Sequence, residues 1–160
     1  MDDKGRADVL KALGLKPTIQ RLAVLAFLEE NRTHPTADQV YSGVRKRFPS
    51  IAKATVYNAL DALERAHAIR KLTIERGAAR YDANPHPHPH FLCRICGTLY
   101  DVMLPCPIRP GDVVLGNRIE EVHTYLYGVC ASCRDDEPIT ENNSNPTPTD
   151  TCDDAGRTHA

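Results

Sequence analysis

The residues able to do chemistry are concentrated between Asp82 and Asp101, where His86, His88, His90, Cys93, Cys96 and the two carboxylates fall within 20 positions. The soft sulfur donors group together, whereas the imidazoles and hard oxygens spread to either side. Two kinds of metal site are implied. Thiolates select zinc and similar soft ions, while mixed imidazole and carboxylate ligation suits iron, manganese or zinc.

A second Cys-x-x-Cys, Cys130 and Cys133, follows Cys96 after 33 intervening residues. Each pair needs the other to complete a closed site of four thiolates. Gly97 and Gly128 supply small residues where a zinc knuckle turns tightly and directs amides at sulfur. The competing reading is a disulfide or redox pair, but a thioredoxin-like motif needs a βαβ setting that the sequence does not offer. The expected cofactor at Cys93, Cys96, Cys130 and Cys133 is therefore structural Zn2+.

A chain of 160 residues suffices for one ordinary domain or two small ones. No run approaches the roughly 18 apolar residues that span a bilayer, and Met-Asp-Asp-Lys-Gly-Arg is no secretory leader. A cytoplasmic protein without membrane contact is expected, and its six cysteines then read as ligands and thiols rather than disulfides. The net charge of −1 conceals a polarity: residues 1–83 carry 15 Lys and Arg against 10 Asp and Glu, residues 134–160 carry 2 against 7. The basic front half can face an anion, although such an excess is also common on an ordinary solvated surface.

Elements must position these groups. Apolar spacing predicts a short helix over Lys4–Leu13, a second over Ile19–Glu30 capped by Thr18, and a third from Thr36 with Val40, Tyr41, Val44 and Phe48 inward. A fourth, Lys53 to His67, buries Val56, Leu60 and Leu63, while its first turn presents Lys53, Thr55, Tyr57 and Asn58, groups suited to phosphates and base edges. His67 ends that helix, where the dipole favours a cation. Ile69–Ile74 and Ala79–Asp82 read as a hairpin around Gly77. Helices followed by such a hairpin make a winged helix-turn-helix.

Pro17-Thr18-x-Gln20-Arg21, His34-Pro35-Thr36-Ala37, Ala54-Thr55-Val56-Tyr57, the His-x-His-x-x-Cys-x-x-Cys run at His88–Cys96, and Gly128-Val-Cys130-x-x-Cys133 resemble, in the same order, the ferric uptake regulator family. The resemblance covers about residues 5–133. It implies an α+β fold, with a winged-helix DNA-binding domain over 1–83 and a small zinc-stapled α/β dimerisation domain over 84–133, and beyond them we expect a disordered acidic tail over 134–160. Position by position it places a regulatory Fe2+ or Mn2+ on His34, Asp82, His88, His90 and Asp101. Alternation along an extended segment independently turns His88 and His90 to one side. His86 is not required by the family pattern. His123 matches a further metal position of some relatives, or is simply structural, and Cys106 and Cys152 read as incidental thiols.

In the dimerisation unit Phe91-Leu92, Thr98–Val102 and Val122–Tyr127 are strand candidates. The family places a helix between the last two, but Pro105, Pro107, Pro110, Gly111 and Gly116 leave room only for a short one, over Val113–Asn117.

The resemblance further implies a homodimer on a two-fold symmetric operator. Tyr57 and Asn58 would read bases, Lys53, Thr55 and Arg21 would hold phosphates, and Arg70, Lys71 and Arg80 would approach the backbone from the wing. The chain is also similar to the peroxide-responsive branch, which carries aspartates at the positions of Asp82 and Asp101, and Asn58 fits that branch. A peroxide-sensing repressor is therefore expected, with iron-uptake or other divalent-metal control as the alternative. A metallohydrolase would need a placed general base and a substrate pocket, neither of which the sequence signals. A metal-storage module leaves Lys53–Asn58 and the wing unexplained.

Overall fold

The computed structural model describes residues 1–75, 77–105 and 107–134. The expectations for Cys106, Cys152 and the tail beyond residue 134 lie outside the described residues. The chain divides into two units, Met1–His86 and Pro87 onward.

In the first unit, α1 (Asp3–Ala12), α2 (Ile19–Glu30), α3 (Ala37–Arg47) and α4 (Lys53–Arg65) precede the antiparallel pair β1 (Arg70–Leu72) and β2 (Arg80–Asp82). The helix starts follow from capping chemistry. Thr18 accepts from the amide of Arg21, and Thr36 with Gln39 forms a reciprocal capping box at α3. Leu10, Val24, Leu28, Val40, Val56, Leu60, Leu63 and Ile69 make one core, each 2% exposed or less. At ~1.5–3 kcal/mol for each large apolar side chain removed from water, this stripe outweighs any single surface contact. Arg6 ties α1 to α2: its guanidinium donates to Glu29 at 2.9 Å and to Asp3 at 2.9 Å.

α4 ends at Arg65 with Ala66 as its C-cap, and His67 follows in the left-handed region at φ 54°, with the amides of His67 and Ala68 returning to Glu64 and Leu63. His67 thus acts through its backbone, in the place that glycine usually takes.

The second unit is built on β3 (His90–Cys93), β4 (Leu99–Asp101) and, after a small hairpin of β5 (Val113–Val114) and β6 (Asn117–Arg118), β7 (Tyr125–Gly128). The sheet order is β4-β3-β7, with β3 antiparallel to β4 and parallel to β7. A 3-10 turn, Ala131–Cys133, follows. The short helix expected over Val113–Asn117 is not formed. That stretch is the β5–β6 hairpin, turning at Leu115 (φ 50°) and Gly116 (φ 80°). Two consecutive positive φ angles give the tight turn whose twist suits a hairpin, and paired β-branched residues before it favour strand. Asn117 donates its side-chain amide to the carbonyls of Val114 and Leu115, which holds Leu115 in a conformation that non-glycine residues rarely adopt.

Candidate metal centres and nucleic-acid interface

The parallel pairing of β3 with β7 assembles the four-cysteine centre. It sets Cys93 opposite Gly128, so the two Cys-x-x-Cys knuckles leave the same end of adjacent strands. Gly97, at φ 69°, turns the first knuckle and returns its amide to the carbonyl of Cys93. The sulfurs of Cys93, Cys96, Cys130 and Cys133 all lie within 4.8 Å of one another. Cys96 and Cys130 are 3.8 Å apart, about the edge of a tetrahedron whose centre lies ~2.3 Å from each sulfur, the bond length of zinc to thiolate. The Cys130 amide donates to the Cys93 sulfur at 3.3 Å. Amides of Cys96 and Cys130 hold the Cys93 thiol down to about 6, while the crowding thiols of Cys130 and Cys96 push Cys133 up to about 12. Such a donor set fits a soft dication, which replaces the retained proton.

The imidazole and carboxylate residues fall in both units. In the first, His34 and Asp82 are both buried and offer ligand atoms within 4.8 Å of each other. The adjoining backbone brings them together: the Tyr81 amide donates to the carbonyl of Pro35, and Thr36 bridges to Arg80. His34 has φ 52° directly before Pro35, a position where sterics favour extended backbone. Strain of this kind persists only where the surroundings impose it, and it concentrates at functional sites.

In the second unit, the β3–β4 register sets His90 opposite Asp101. His88 Nε2 lies 3.2 Å and His90 Nε2 3.6 Å from the same Asp101 oxygen, and the two rings are 4.3 Å apart. His90 is 1% exposed. These nitrogen and oxygen donors suit a divalent ion of intermediate softness held reversibly. His86 is exposed and belongs to neither group. His123 precedes β7 and lies 2.8 Å from Glu121 and 3.1 Å from the Tyr125 hydroxyl.

On α4, Lys53, Tyr57 and Asn58 are exposed and Thr55 half-buried. The helix begins at Ala52 without a side-chain cap. Arg21 donates to the carbonyl of Lys16. On the wing, Lys71 is exposed, and Arg80, 17% exposed, pairs with Glu75 at 2.5 Å. Arg70 donates to the carbonyl of His86 at 3.4 Å. Sequence reasoning missed Asp38, at the start of α3. Its carboxylate is 2.5 Å from Lys53 Nζ and accepts from the Tyr57 hydroxyl at 2.9 Å. No short-range pattern marks it, because its partners lie a helix away.

The ferric uptake regulator family model matches residues 12–126. The chain belongs to the ferric uptake regulator family. It is 33% identical over 129 residues to the peroxide-responsive repressor PerR of Staphylococcus aureus strain Mu50, covering 79% of this chain and 87% of that protein. The ferric uptake regulator of Francisella tularensis, solved with iron, superposes with a TM-score of 0.60 at 25% identity over 76% of this chain and 96% of that one. A zinc-bound manganese uptake regulator gives 0.57 at 25% over 77% and 96%. The family-level expectations for fold and class are met: an α+β chain with four α-helices and small sheets among the described residues, and a metal-responsive regulator of a family whose members bind DNA and are dimeric. Among the described residues, no helix is long and apolar enough to cross a membrane.

Proposed function

We propose that this protein is a metal-dependent transcriptional repressor that binds a two-fold symmetric operator as a homodimer and releases it when hydrogen peroxide oxidises histidines of its regulatory site. A Zn2+ on Cys93, Cys96, Cys130 and Cys133 would hold the second unit. The regulatory Fe2+ or Mn2+ would use His34 and Asp82 from the first unit with His88, His90 and Asp101 from the second, a grouping that rests on the family motif.

What carries the peroxide reading is the choice of oxygen donor. Asp82 stands beside His34, and Asp101 lies 3.2 Å from His88, so each candidate target imidazole has an aspartate for its neighbour. Ferrous iron, when bound, would activate the O–O bond and end ferrous again, because the two electrons that reduce peroxide come from the imidazole C–H bond that is oxidised. One peroxide oxygen enters an imidazole C–H bond of His34 or His88, and the other leaves as water. The oxidised ring is a poorer donor. Its loss from the ligand set frees the first unit, whose α4 would read DNA through Tyr57 and Asn58, with Lys53, Thr55 and Arg21 on phosphates and Arg70, Lys71 and Arg80 beside the neighbouring backbone.

Mass spectrometry after equimolar peroxide on the ferrous protein tests the reading. The expected gain is one oxygen atom on peptides containing His34 or His88, together with loss of DNA retention. Modification confined to cysteine or methionine, with DNA binding intact, would favour the second reading. That reading is metal control without peroxide sensing, and it draws on the likeness to the iron-bound regulator.

A further inference from the structure

We propose that Asp38 is a built-in competitor for DNA phosphate: it occupies Lys53 when the protein sits on DNA of arbitrary sequence and yields it only on the operator. The proposal rests on the DNA-binding reading above and adds a residue that sets specificity.

Two of the polar groups at the start of α4, Lys53 and Tyr57, converge on one oxygen of this carboxylate. Lys53 Nζ is 2.5 Å and the Tyr57 hydroxyl 2.9 Å from Asp38 Oδ1, and Lys53 Nζ lies 5.5 Å from the centre of the Tyr57 ring. All three side chains are solvent-accessible, so the cluster is not a core device. Asp38 lies in the first turn of α3, just after the Thr36 cap, where the positive end of the helix favours an anion. The hydrogen bond from Lys53, and then that from Tyr57, hold its carboxyl below the usual range, while Asp38 in turn holds the Lys53 ammonium above its own.

A fixed anion on a surface that must meet a polyanion opposes binding unless something offsets it. Random DNA offers phosphates alone. Lys53 then stays on Asp38 and displaces no counterion. On the operator, base contacts by Tyr57 and Asn58 draw α4 closer, and Lys53 exchanges the carboxylate for a phosphate. Asp38 therefore weakens random binding more than specific binding. The competing account is an ordinary exposed ion pair, which contributes little to anything measured.

The test uses the full-length, manganese-loaded protein, a random-sequence duplex, and the duplex that the wild-type protein itself enriches from a random pool. Asp38→Asn keeps an acceptor for Tyr57 and removes only the charge. We expect it to tighten random-duplex binding by about threefold per protomer, the scale of one exposed charge pair. The slope of log affinity against log salt should steepen by about one per protomer on the random duplex and stay unchanged on the enriched one. In a Lys53→Ala background, Asp38→Asn should leave the slope on the random duplex unchanged, because no ammonium is released to a phosphate, and any gain in affinity is then relief of repulsion alone. Unchanged affinity and slope on the random duplex, or the same steepening of the slope without Lys53, overturns the proposal while leaving DNA binding standing. A wild-type protein with no salt-dependent affinity for either duplex overturns the DNA-binding reading and this proposal together.

Discussion

Four sulfurs within 4.8 Å of one another cannot all ionise without a cation between them, which makes the cysteine centre a pH-dependent one. Cys133, pushed up to about 12, must surrender a proton whenever zinc binds at neutral pH, whereas Cys93, held to about 6, has already lost its own. Zinc affinity should thus fall as pH falls, and more steeply once pH drops below about 6, where the Cys93 proton begins to compete. Zinc retention after dialysis across that range measures it; a loss that shows no added steepness there would contradict the assignment of the lowered thiol. Cys96→Ser should release the zinc and lower stability by several kcal/mol, since structural zinc contributes on the order of 10 kcal/mol to folding. Metal analysis with thermal denaturation is the readout, and a zinc-free variant as stable as wild type would remove the metal from the folding argument. The clustering of the four cysteines was legible in the sequence because each knuckle is local and its partner repeats the spacing. Asp38 was not legible, because its role comes from the packing of α3 against α4.

Between elements, close approach is set by single residues. In α3, a Cβ at Gly43 would fall 2.0 Å from Cε2 of Phe27, so α2 and α3 meet where only glycine fits. Phe27 packs against the core and its ring presents three atoms to that position. Gly43→Ala gains about 1 kcal/mol of helix propensity, but overpacking of this kind costs ~1–3 kcal/mol and should prevail. We expect a melting temperature lower by several degrees; an unchanged or higher value would show that the ring swings aside at little cost. Helix boundaries were readable from caps and apolar period, as at Thr18 and Thr36. Apolar spacing in α2 points to Leu22, Ala23, Leu25, Ala26 and Leu28 as its buried face, yet Val24 is fully buried too, because in so apolar a helix the period hardly separates inside from outside. The β5–β6 hairpin was misread as a short helix for a related reason: Leu115-Gly116 gives no common turn signature, and the positive φ at Leu115 depends on the Asn117 side chain.

For the molecule as a whole, the proposed regulatory ion ties metal occupancy to DNA affinity, and linkage makes that tie measurable in both directions. An ion drawing ligands from both units favours whichever arrangement of them satisfies all its donors, and it can shift DNA binding only by its own difference in affinity between the states. Coupling of this type is typically 1–3 kcal/mol, or about 5–150-fold. Adding Mn2+ to protein that carries only its zinc should therefore raise affinity for the enriched duplex by a factor in that range. The same duplex must raise Mn2+ affinity by the same factor, because the cycle closes. His88→Ala should lower Mn2+ affinity and shrink both factors together while zinc stays bound. Titration calorimetry of Mn2+ with and without the duplex, set beside duplex binding with and without Mn2+, gives the four legs. Equal factors in both directions, with the zinc content constant, support one regulatory ion coupled to DNA; a duplex that binds equally well with and without Mn2+ would show that the histidine and aspartate groups do not govern DNA binding at all.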